Sequence, residues 1–75
     1  MKLSELKKGE TAIILNFEKI SPTFSHRLYD VGISIGSEVT VLNKLNFGQL
    51  LHISIDAVEF CIRKKDGEKI IVEHV

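Results

Sequence analysis
The sequence predicts a mainly β fold: a small barrel of about five strands, with a short helical insert between the first two. Three observations carry this. Short runs of alternating apolar and polar residues recur along most of the chain, separated by Gly, Asp and Asn turn signals. One stretch breaks that rhythm: Phe24, Leu28 and Val31 fall at i, i+4 and i+7, a single helical face. Finally, the chain has 75 residues and one cysteine, so no disulfide staples it. A flat sheet this small would leave an apolar face wet and two edges open, whereas rolling it lets both ends share one core.

The elements follow in order. Leu3 and Leu6 pack a helical turn or irregular lead-in against the core, with Ser4 placed to cap it. Lys8-Gly9-Glu10 is a turn. Thr11 to Phe17 reads as a strand with Ala12 and Ile14 inward. Bringing Phe17 inward as well requires a bulge, because strict alternation would select Asn16. Ser21-Pro22 opens the insert, since proline suits a first helical turn, and Ser25 offers a second start. Gly32 closes the helix at a position that favours left-handed backbone, and Gly36 turns the chain into the next strand.

That second strand runs from about Glu38 to Lys44, with Val39 and Val41 inward. Asn46-Phe47-Gly48-Gln49 is a loop. Leu51, Ile53 and Ile55 alternate with His52 and Ser54. After a turn at Asp56, Val58, Phe60 and Ile62 alternate with Glu59, Cys61 and Arg63. Lys65-Asp66-Gly67 carries the Asp-Gly signal of a tight turn, and Ile70 and Val72 are the last inward pair. No repeat or low-complexity segment interrupts this single domain, residues 1–75.

Charge narrows the function. Ten Lys and Arg balance ten Asp and Glu. Zero net charge argues against a nucleic-acid binder, whose affinity rests on neutralising phosphates. No lysine-rich cluster suggests an electrostatic membrane anchor, and no apolar run is long enough for a span or a secretory signal, so direct membrane insertion is not expected. The lone cysteine fits a reducing cytosol.

No catalytic apparatus is legible. Ser25, His26 and Asp30 share the helix but lack a nucleophile elbow and oxyanion glycines. The P-loop and dinucleotide fingerprints are absent, so no nucleotide or other cofactor is expected. His26, His52, His74 and Cys61 are the soft or borderline metal donors, but no two lie within four positions, and a structural zinc site wants about four converging ligands. His52 and Cys61 can approach across adjacent strands, in outward phases. No metal site is therefore assigned. Phe47 is the aromatic expected in the open, and Arg27 sits one step off the buried helix face. It can serve as a clamp on backbone carbonyls or as a docking contact.

The pattern Leu3-x-x-Leu6-x-x-Gly9-x-x-Ala12-x-Ile14-x-x-Phe17 resembles the opening of the ferrous iron transport protein A family, FeoA. Arg27-Leu28-x-x-x-Gly32-Ile33-x-x-Gly36 resembles its most specific motif, in which Leu28, Gly32 and Gly36 are structural. Val39-x-Val41, Phe60-Cys61-Ile62-Arg63 and Ile70-x-Val72 follow in the family's order. Three departures stand out: Ile35 replaces a proline, Gln49-Leu50 lacks another, and Lys64-Lys65-Asp66-Gly67 replaces a small helix-like stretch.

The resemblance implies an SH3-like barrel and a non-enzymatic cytosolic role in bacterial ferrous iron uptake. The implied partner is the membrane permease FeoB, reached through its cytosolic GTPase region. The expected contact residues are His26, Arg27, Tyr29 and Phe47, in the insert and the loops beside it. The alternative is a metal-responsive regulatory or protein-interaction module, like the C-terminal domain of diphtheria-toxin-repressor-like regulators. Exposed strand edges also allow a homo-oligomer.

Overall fold
Period-two patterning builds five antiparallel strands: β1 (Thr11–Phe17), β2 (Glu38–Leu45), β3 (Leu50–Ile55), β4 (Val58–Arg63) and β5 (Ile70–His74). The computed structural model describes residues 1–30 and 32–75; Val31, assigned above to the helix face, lies outside them. The strands form one sheet in the order β4-β3-β2-β1-β5. With its helices the domain measures 28 × 24 × 22 Å.

The sheet is not closed into a barrel. Among the described residues no ladder joins β4 to β5. Helical turns seal that end instead. A 3₁₀ turn at Leu3–Glu5 buries Leu3 and, just beyond it, Leu6. Against it packs α2 (Lys64–Gly67), between β4 and β5. The tight turn expected at Lys65–Gly67 is therefore helical, and the family's helix-like stretch is retained. Gly67 is selected here by space rather than by left-handed backbone, since a Cβ would meet Leu51 Cδ1 at 2.8 Å. Ser4 lies inside the 3₁₀ turn and does not cap it. The Lys2 N–H is taken instead by the Glu5 carboxylate at 2.7 Å.

The bulge expected in β1 is present. The β1–β5 register steps from Ile14↔Val72 to Asn16↔Ile71, leaving Leu15 as the extra residue. The parity shift turns Phe17 toward the core. A second bulge between Val41 and Asn43 bends β2. The expected inward residues of β2, β3 and β5 are buried. In β4, however, Phe60 and Ile62 are only half-buried and Val58 is 57% exposed. An edge strand has a neighbour on one side only, so alternation there does not guarantee cover. Ile33, just past the insert, is fully buried and was not apparent from periodicity.

The insert contains α1 (Pro22–Asp30). Its start is at Ser21, not Ser25: the Ser21 hydroxyl accepts the Phe24 N–H at 3.1 Å, and the Ser21 carbonyl accepts the Ser25 N–H at 2.9 Å. At the other end Gly32 has φ +90. Its N–H bonds the Tyr29 carbonyl, and the Ile33 N–H bonds the Leu28 carbonyl. Gly36, at φ +92, donates to the Ile14 carbonyl at 2.8 Å, while the Ile14 N–H bonds the Ser37 carbonyl at 2.9 Å. The two glycines thus end the helix and stitch its return onto β1.

Candidate functional site
Successive residues of α1 are about 100° apart, so Phe24, Arg27 and Leu28 share one side and His26 and Tyr29 the other. Leu28 is buried and Phe24 half-buried, its ring under the Lys69 ammonium at 5.6 Å. That inner side of α1 faces β4 across a groove of about 260 Å³. Phe60 and Ile62 line it from β4, Leu50 from β3, and Arg63 and Asp66 from the β4–α2 junction. Arg27 also lines it, opposite that junction, and makes no hydrogen bond or ion pair with another described residue. Among the described residues the clamp on carbonyls considered above is not formed.

The structure does not gather the four expected contact residues into one patch. Arg27 is at the groove, His26 and Tyr29 are on the outer side of α1, and Phe47 is at the β2–β3 hairpin tip. Tyr29 is 58% exposed and Phe47 fully exposed. Asn46 and Phe47 have φ of 52° and 57°, so the tip is a left-handed turn closed by the Gly48 N–H on the Leu45 carbonyl at 3.0 Å. A phenylalanine in that conformation, with nothing over its ring, is held at a backbone cost. Groove residues Leu50, Phe60, Ile62 and Asp66 were missed by the sequence reading. No local signal marks them, because the groove exists only once α1 is placed against the β4 edge.

The metal-donor side chains are dispersed. His52 is directly opposite Cys61 on the outward face, as its phase predicts, and its Nε2 is 3.0 Å from Glu59. His74 Nε2 is 2.9 Å from Glu10 Oε2. Glu10 Oε1 also accepts the Lys7 N–H at 2.6 Å. These contacts, the Lys7 bond first, hold the Glu10 carboxyl below its usual range. No group of three or more His, Cys, Asp or Glu able to hold a metal occurs among the described residues. Ser25, His26 and Asp30 make no hydrogen bond with one another.

Five curved antiparallel strands, an insert helix and a groove along one edge define a small domain of the SH3-like kind. The FeoA domain model matches residues 1–74, and the chain belongs to the FeoA family, which is linked to ferrous iron transport. Among solved structures, the FeoA protein of Chlorobium tepidum is similar with a TM-score of 0.92 and 29% identity, over 100% of this chain and 70% of that one. Zinc-complexed FeoA of Stenotrophomonas maltophilia, described as a prokaryotic SH3 domain protein, has a TM-score of 0.82 and 24% identity, over 97% and 89%. A manganese-dependent transcriptional repressor shares the fold, with a TM-score of 0.89 and 20% identity, over 100% of this chain and 41% of the repressor. Among curated proteins no sequence matches. No helix is long and apolar enough to cross a membrane among the described residues.

Proposed function
We propose that the chain is a non-enzymatic accessory protein of bacterial ferrous iron uptake, which works in the cytosol by binding the GTPase region of the FeoB permease. The observation that carries this reading is the family match over residues 1–74 in a domain whose Arg27 guanidinium lies beside an apolar groove and bonds no other described residue. The contact surface runs from Arg27 around α1 to His26 and Tyr29, with Phe47 as a second anchor on the hairpin. Arg27 supplies a planar donor for a carboxylate or carbonyl, and Tyr29 and Phe47 supply aromatic area. Such a module acts by binding one state of its partner more tightly than another.

The test is titration of the purified cytosolic region of the permease into this chain, followed by calorimetry. Combined Arg27→Glu and Tyr29→Ala substitution should weaken binding by at least about tenfold, with the circular dichroism spectrum unchanged. Equal affinity in that folded variant counts against this surface. A second reading, a metal-responsive regulatory module, draws on the fold shared with the repressor and on the His52–Cys61 pairing. Equilibrium dialysis showing stoichiometric ferrous or zinc binding, lost on substituting those two residues, would favour it.

A further inference from the structure
The two edges of the sheet are treated differently. The β5 edge is partly covered: Lys2 bridges to Ile71, the Met1 carbonyl accepts the Val72 N–H at 2.8 Å, and the Met1 amino group donates to the Val72 carbonyl at 3.2 Å. The β4 edge has no such cover. Its hairpin with β3 turns through Asp56 and Ala57, both at positive φ, so Ile55 and Val58 close a two-residue loop. Hydrogen-bonded and non-hydrogen-bonded pairs alternate from there. Val58, Phe60 and Ile62 bond inward to β3, and the backbone groups of Glu59, Cys61 and Arg63 point outward. No described residue takes them. The groove separates α1 from β4.

We infer that β4 pairs antiparallel with β4 of a second copy, about a two-fold axis at Cys61. Three features of the sequence agree with that register. The outward backbone groups of Cys61 face those of Cys61 in the second copy, and Glu59 and Arg63 bond in the same way. On the outer face Glu59 then lies directly opposite Arg63 of the second copy, twice by symmetry; both side chains are well exposed, and they would exchange their partners within one molecule, His52 Nε2 at 3.0 Å and Asp66 Oδ2 at 3.8 Å, for these pairs. On the groove face Phe60 meets Ile62 of the second copy, covering the two apolar residues of β4 that are half-buried in one molecule. A one-residue slip would break all three matches.

The test is sedimentation of the intact chain from micromolar concentration to about 1 mM. The weight-average mass should rise from the monomer value of 8.5 kDa toward twice that. Glu59→Arg or Arg63→Glu alone should weaken association by about tenfold, because each reversal acts at two pairs. The double variant should recover the wild-type constant. Mild oxidation should trap a Cys61 disulfide dimer, since hydrogen-bonded partners bring Cα atoms to about 5.5 Å.

A monomer at every concentration overturns the inference, as does association indifferent to the single reversals. Protection of the Glu59, Cys61 and Arg63 amides only on adding the permease region also overturns it and assigns the edge to that partner. Because the sedimentation uses this chain alone, its result is independent of whether the permease binds.

Discussion
Replacing Gly67 with alanine sets two effects of opposite sign against each other. A Cβ on Gly67 would stand 2.8 Å from Leu51 Cδ1, with Ser4 N at 3.5 Å and Ser4 Cβ at 3.6 Å. Carbon atoms prefer roughly 3.5–4.0 Å, so Leu51 must retreat by about 0.7–1.2 Å. Leu51 has no exposed surface, and such overpacking costs about 1–3 kcal/mol. Against this, alanine is favoured over glycine in a helix interior by about 0.8–1.0 kcal/mol. That gain is an upper limit here, because α2 is one turn and Gly67 is its last residue. The packing cost wins, and the net loss is about 1 kcal/mol. For a domain of this size that lowers the melting temperature by roughly 4–8 °C, read by circular dichroism. The cause is checked with Leu51→Val, which removes the atom in contact. The double variant should lose less stability than the sum of the two single changes. A rise in melting temperature for Gly67→Ala, or strict additivity, would refute the packing of α2 on β3.

Two further outcomes follow. Phe47→Gly relieves a left-handed non-glycine backbone and forfeits no burial, so urea unfolding should show a gain of about 0.5 kcal/mol, while permease binding falls; a loss of stability would show that the ring packs on something. Glu10 has its carboxyl held below the ordinary value of 4.5, so its contribution is present above that value and is lost as pH falls through its lowered one. Glu10→Gln should therefore be less stable than wild type at neutral pH, the gap closing in acid; a gap that persists in acid would contradict the assignment.

The inward residues of β2, β3 and β5 were legible because alternation reports burial directly where the face is covered. Val39 and Val41, Leu51, Ile53 and Ile55, and Ile70 and Val72 are all buried. The same pattern misled at Val58, which is 57% exposed on the β4 edge, where no segment adds the cover that Met1 and Lys2 give β5 among the described residues. Asp66-Gly67 misled for a related reason. Its dipeptide chemistry favours a turn, but the chain is helical there, and Leu51, distant in sequence, stands within 2.8 Å of where a Cβ would lie. Of the candidate site, the helix with Arg27 and the exposure of Phe47 could be read from the chain. The separation of Arg27 from His26 and Tyr29 across α1 follows from helical geometry once its inner face is known.

By itself the sequence determined the element types, the glycine-ended insert and the family pattern, because local backbone preference and side-chain period are properties of neighbouring residues. Only the tertiary structure decided that the sheet stays open, that Met1 and Lys2 cover one edge while β4 stays bare, and that a groove runs beside it. Those features depend on which strands pair across long stretches of chain, and hydrogen-bond pairing between distant segments leaves no local periodicity to read.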